Sequence, residues 1–207
     1  MGKSYNNTLT SHECSLGIER FFVGLYPTTF TATRVDVSSP PSGFMDLGAV
    51  VEDTPSVRIS REVYSLSTGM PKVVQYESIV AVGAEIGFSL YTNSWWQAQF
   101  ALGNATIITT VTTIASGAVS TAYFGKATIR NFALLGVCDF ANGAQIIHEF
   151  PKVSPAGDWE EALRPGEVNQ MPFSFNALGF IDTIDSCKHL IVGKRHYVNG
   201  DGVLCTF

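Results

Sequence analysis

Few residues in this chain are arranged for chemistry. His12-x-Cys14 and Cys187-x-His189 together would supply four zinc ligands. Structural zinc sites, however, space their paired cysteines by roughly two to four residues, and one of these pairs lies in the polar N-terminal stretch. They read more simply as ordinary surface or core residues. A Cys–His nucleophile pair meets only in the folded chain. Cys138 lies in an apolar, strand-like context, where a thiol behaves as a small hydrophobe, and His148 lies on an alternating strand. Asp158, Glu160 and Glu161 bring carboxylates together around Trp159. Glycosidases need such pairs, but adjacent loop acids are generally solvated. P-loop, GxGxxG and GxSxG patterns are absent. The residues give no support for an enzyme, and no metal or cofactor is expected.

The elements that would position any site are mostly strands. The chain has 207 residues, 45% hydrophobic and 12% aromatic, enough for one sizeable core or a smaller core plus an assembly surface. Only 15% of residues are charged, against roughly 25% in an average soluble domain. That deficit fits a surface covered by partners, and equally a compact β domain rich in Thr, Ser and Gly. The net charge of −5 and the lack of a basic run argue against a protein that grips nucleic acid. The four cysteines have no framework spacing, which speaks against a disulfide scaffold. No apolar h-region opens the chain and no apolar run is long enough for a membrane span, so the expectation is synthesis in a reducing cytoplasm without a membrane partner.

Residues 1–17 are polar and aperiodic, and read as an N-terminal arm that orders on a partner; residues 18–207 read as a single β-rich domain. Residues 18–26 (IERFFVGLY) suggest a strand closed by Pro27. Residues 37–48 hold two prolines and two glycines and predict a loop. Its apolar Phe44, Met45 and Leu47 are candidates for contact with another chain, with packing onto their own sheet as the alternative. Residues 57–66 form a second strand candidate, with Val57, Ile59 and Val63 on one parity. The clearest pattern follows. Val74, Tyr76, Val80, Val82, Ala84, Ile86, Phe88 and Leu90 share one parity, interrupted only by Ser78. Gln75, Glu77, Ala81, Gly83, Glu85, Gly87 and Ser89 share the other, broken only by Val73 and Ile79. A period of two puts the first set on a buried face and the second on an open one. As one straight strand this would span roughly 55 Å, so either a turn or bulge interrupts it near residues 77–83 or the strand is unusually long.

Asn93 or Ser94 then caps a short helix over residues 95–102, ended by Gly103, with Trp96 and Phe100 four apart anchoring it to a sheet. Residues 104–125 carry no charge and read as a hairpin or an excursion. Further strands are expected over 127–137, 144–150, 171–177 and 190–193, with a loop over 152–167 and a turn at 199–202. One mainly β, antiparallel β-sandwich or partial barrel with one short flanking α-helix is the fold expected.

The order of these features resembles the tail-tube (major tail) proteins of tailed bacteriophages. The aromatic strand is followed by Asp46-Leu47-Gly48-Ala49-Val50-Val51-Glu52-Asp53-Thr54, similar to that family's dLGxVxDT turn. Gly69-Met70-Pro71-Lys72 leads into the long alternating segment, and a helix ending Ala101-Leu102-Gly103 follows. Phe150-Pro151-Lys152-Val153, Gly157, Leu163 and Gly166 match the later part. The resemblance covers residues 18–180 and leaves out the arm, residues 104–125 and the stretch after Phe180. It implies a structural virion protein of the tail, assembled in the host cytoplasm. Six copies would form a ring whose long strands line a lumen, and rings would stack as a conduit for DNA. The implied partners are further copies, a tape-measure protein, tail-terminator and baseplate or tip proteins, and a sheath if the tail contracts. Gln75, Glu77, Glu85 and Ser89 would face the channel, where acidic and small polar groups let DNA pass without strong binding. Two other classes remain open. One is a fibre- or baseplate-type or carbohydrate-binding β-sandwich using Trp95, Trp96 and Trp159; the other is an enzyme with a perturbed residue in a pocket.

Overall fold

A computed structural model of the chain describes residues 18, 20–36, 38–68, 73–91, 95–103, 130–140, 143–156, 170–184 and 186–198. Among these residues ten strands and one helix run in the order β1 (Arg20–Leu25), β2 (Phe44–Ala49), β3 (Ser56–Thr68), β4 (Val73–Leu90), α1 (Trp95–Ala101), β5 (Phe132–Asp139), β6 (Gln145–Pro155), β7 (Met171–Ala177), β8 (Phe180–Ile184), β9 (Cys187–Ile191) and β10 (Lys194–Val198). Every strand pairing is antiparallel.

The main sheet has the order β2-β1-β5-β6-β7-β4-β3, with β10 also on β6. It curls until its two sides meet. Val50, just after β2, bridges Leu90 at the end of β4. Val51 N–H donates to Ser89 O at 2.9 Å, and Tyr91 N–H donates to Ala49 O at 3.1 Å. The curled sheet is a partial barrel around one apolar core, and β8–β9 form a separate two-stranded sheet.

Alternation explains the core. Phe21 and Val23 of β1, Phe132 and Leu134 of β5, and Met171, Phe173, Phe175 and Ala177 of β7 point inward to meet Ala84, Ile86, Phe88 and Leu90 of β4. Aromatic rings fill the interior: Phe21 stacks on Phe88 with centroids 3.9 Å apart, and Phe88 on Phe173 at 5.1 Å. The opposite parity of β1, β5 and β6 (Phe22, Ala133, Leu135, Val137 and Ile147) builds a second core with Val35, Phe44 and Val198. β1 and β5 are therefore buried on both faces and read as nearly unbroken apolar runs, whereas β6 carries His148, Glu149 and Lys152 among its apolar residues.

α1 closes one side of the barrel. Phe100 is fully buried, edge-on to Phe132 with centroids 4.6 Å apart and stacked on Phe175 at 5.0 Å. Trp96 packs against the same core from a half-buried position, as the anchor pair requires. Gly103 sits at φ 68° and its N–H donates to Phe100 O at 2.9 Å, the left-handed C-terminal cap that glycine favours.

Three expectations are corrected. Residues 44–49 form β2 instead of completing a loop. Phe44 is 6% exposed and Leu47 fully buried, so both tuck onto their own sheet and have no surface left for another chain. Met45 is half-buried against the same core. The cluster of prolines and glycine ends at Gly43, and a bulge at Leu47–Gly48 opposite Phe21, with Gly48 at φ 100°, lets the strand continue. Second, β6 runs on to Pro155, into the region expected to be loop, because Val153–Pro155 pair with β7. Third, the single strand expected at 190–193 is replaced by β9 and β10 on either side of Val192-Gly193. A Cβ on Gly193 would lie 2.8 Å from the Phe150 ring, so only glycine fits that crossing. The arm 1–17, residues 104–125, the caps Asn93 and Ser94, and the turn at 199–202 lie outside the described residues.

Candidate functional site

β3 and β4 outrun the barrel. β7 accompanies β4 only from Leu90 to Ala84, where Ala84 lies opposite Ala177. Beyond that point β3 and β4 pair with each other alone among the described residues, down to Thr68 opposite Val73. This two-stranded ribbon leaves the outer edge of β3 and, past Ala84, the far edge of β4 without a described strand partner. Its side chains are open on both faces: Ile59, Val63, Tyr64, Leu66, Ile79 and Val82 are all exposed. Val57, Ile59 and Val63 share one parity as expected, and of the three only Val57 packs on the core.

The register settles which of the four channel candidates belong together. From Leu90 to Ala84 the expected parity is observed: Ala84, Ile86, Phe88 and Leu90 are buried, while Glu85 is exposed and Ser89 half-exposed on the other side. Glu85 lies opposite Arg58 on β3 and Asn176 on β7; Gly87 lies opposite Ser56 and Ser174. That face is polar and nearly flat. A Cβ on Gly83 or Gly87 would come within 3.1 Å of the Ser60 or Ser56 hydroxyl oxygen.

Below Ala81 the two sets exchange sides. Glu62 pairs with Ala81 and Val63 with Ile79, so Val80 is an extra residue, a β-bulge; Gln75 is a second, between the Tyr76 and Val74 pairings. One inserted residue reverses the parity of everything beyond it. The register position of Glu77, opposite Ser65, therefore falls on the parity of Val82 and Ala84, not on that of Glu85. Glu85 and Ser89 remain together, the register position of Glu77 leaves the set, and Gln75, the extra residue of the second bulge, has no register position on either side. The strand is continuous and bulged, one of the two alternatives its length allowed.

The chemical candidates do not converge. Cys187 and His189 lie on exposed β9, and their proposed zinc partners His12 and Cys14 lie outside the described residues, as do Asp158, Glu160 and Glu161. No group of three His, Cys, Asp or Glu able to hold a metal occurs among the described residues. Cys138 is buried on β5 opposite Ile146, whereas His148 lies between Gly136 and Arg195 in the register. Burial, reinforced by the Arg195 charge, holds the His148 imidazole below its ordinary value. Its folded pKa lies below its unfolded one, so the unfolded chain binds more protons between the two, and stability falls as pH drops through that interval. Urea unfolding of the His148→Gln variant should lose less stability between pH 7.5 and 5 than wild type does. An equal loss in both would remove His148 as the cause.

The structure adds residues that patterning missed. Ile181 and Leu190, directly opposite each other on β8 and β9, are 63% and 75% exposed. A groove of about 770 Å³ runs between this hairpin and the ribbon, walled by Ile59, Arg61, Ile79 and Val82 on one side and by Leu190, Ile191 and Val192 on the other, so it is mainly apolar with one cation on the ribbon side. No helix among the described residues is long and apolar enough to cross a membrane. Comparison with protein-family models and with curated proteins finds no match for this sequence.

Proposed function

We propose that the chain is a structural subunit that closes into rings and stacks into a tube of the phage-tail type, a conduit through which DNA passes. The observation that carries this reading is the β3–β4 ribbon. It extends beyond the core with both edges open, a form that is marginal in water by itself and an invitation to edge pairing. In a ring, the outer edge of one β3 meets the open edge of the next copy's β4. Such a contact is heterologous, and six repeats of it would close a barrel that removes every edge.

The flat face carrying Ser56, Arg58, Glu85, Ser89 and Ser174 then lines the lumen beside the small Gly83 and Gly87. With a net charge of −5 on the chain, this wall gives phosphate no basic stripe to hold, so a strand slides without specific binding. Partners on this reading are further copies, a tape-measure protein threading the lumen, tail-terminator and baseplate or tip proteins at the ends, and a sheath if the tail contracts. The subunit works without catalysis, and its place is the virion tail.

Negative-stain electron microscopy of purified protein over a concentration series tests the proposal. Annular particles or tubes with an open centre are the expected result. Dispersed single copies at every concentration would overturn it in favour of a fibre- or baseplate-type or carbohydrate-binding β module.

A further inference from the structure

An apolar groove and two open strand edges meet where β4 leaves the barrel. The chain that would otherwise continue beside β4 turns away after Ala177, through Gly179, into the β8–β9 hairpin. The slot left between β4's free edge and that hairpin is the groove walled by Ile59, Ile79, Val82, Leu190, Ile191 and Val192. The hairpin's own support is slight. Among the described residues its two five-residue strands pair only with each other; a 2.8 Å ion pair ties Asp182 to Lys194 of β10, and neighbouring Val192 packs on the barrel core. Two short strands are not stable in water on their own, yet they hold Ile181 and Leu190 in solvent.

The groove's shape and chemistry fit one occupant, the ribbon of a second copy. Rotation about a ring axis keeps β3 of one copy antiparallel to β4 of the next, the sense it already has with its own β4. The incoming β3 would bring Ile59 and Val63 on the parity that faces the groove, with Arg61 between them. Ile59, Val63, Ile79, Val82, Ile181 and Leu190 together leave several hundred Å² of apolar surface in water, the range that marks an interface and a large part of the roughly 800 Å² each partner gives to a specific complex.

Resting on the ring reading, we infer that the β8–β9 hairpin is an intersubunit clamp: the neighbour's β3 enters the groove, and Ile181 and Leu190 close over its Ile59 and Val63. The hairpin lies in the stretch where the chain departs from the tail-tube pattern, so the clamp is a device of this chain's own C-terminal region. It also accounts for large aliphatic residues at exposed hairpin positions that contribute nothing to the barrel core.

The test compares wild type with an Ile181→Asp/Leu190→Asp variant by sedimentation velocity and electron microscopy, with thermal unfolding to establish that both fold. The variant should unfold as wild type does and need at least about tenfold more protein to assemble, the loss expected when a central apolar anchor is removed. A second measurement mixes Leu190→Cys copies with Val63→Cys copies, both carrying serine at Cys14, Cys187 and Cys205. Oxidation should yield a disulfide-linked dimer in the mixture and not in either variant alone. Unchanged assembly of the aspartate variant, or no mixed dimer, overturns the clamp and leaves the ring reading intact. A wild-type protein that stays monomeric overturns both.

Discussion

Replacing Val63 and Ile79 together by aspartate should give a protein that folds normally and does not assemble. The two residues lie directly opposite each other on the ribbon, and each is about half exposed. Neither belongs to the barrel core. In the single copy the change sets two like charges across a strand pair, a cost of at most about 1 kcal/mol, and removes apolar side chains that water already reached. In a ring the same positions lie beside the seam between copies. Burying a carboxylate there without a partner costs several kcal/mol, and each seam pays it again. Circular dichroism and the thermal unfolding midpoint should match wild type within a few degrees, while sedimentation shows a monomer where wild type shows rings. Rings forming at wild-type concentrations would mean that the ribbon is not the seam.

The sequence announced some of this architecture and concealed the rest, for physical reasons. β7 was legible because Met171, Phe173, Phe175 and Ala177 alternate with Pro172, Ser174 and Asn176, and one face of that strand is buried while the other is open. The upper half of β4 was legible for the same reason. Its lower half misleads because a bulge leaves no mark in composition. Val80 continues the apolar parity on paper, yet its insertion moves Ile79 and the register position of Glu77 to the other side. Ile79, one of the two exceptions to the pattern, was the available signal: an apolar residue on the polar parity can mark a place where parity changes, whereas Val73, beyond the second bulge, returns to the parity of Glu85. Phe44 and Leu47 were read as loop residues because Pro40, Pro41 and Gly43 precede them, and a strand of six residues with a glycine bulge shows no period of two. β8 gave no signal and β9 only its last two residues, inside the strand expected at 190–193, because β9 has no buried face. Exposure of Ile59, Leu190 and Ile181 cannot be read from residue type, since a large aliphatic side chain in a strand looks the same in a core as in an interface. The order of motifs suggested a ring-former, and the geometry supplies surfaces on which such a reading can be tested.

Phe100→Ala should be the most destabilising single change at the helix, and it separates the barrel's stability from its assembly. The ring is fully buried and touches Phe132, Phe173 and Phe175, with centroids 4.6, 5.7 and 5.0 Å away. Truncation removes its transfer energy and leaves a cavity among three aromatic rings that cannot all close in, a loss of about 3–5 kcal/mol. A domain of this kind has only about 5–15 kcal/mol in total. At about 2–4 °C per kcal/mol for a chain of this length, the unfolding midpoint should fall by roughly 6–20 °C. Trp96→Ala removes a side chain that is only partly buried and should cost distinctly less. The ribbon and the β8–β9 hairpin are untouched, so at a temperature where Phe100→Ala is still folded it should assemble as wild type does. Calorimetry and electron microscopy on the same sample read both quantities. A fall of less than about 2 °C would mean that α1 rests on the barrel without plugging it. Assembly lost while the fold remains would mean that the helix itself contributes to the contact between copies.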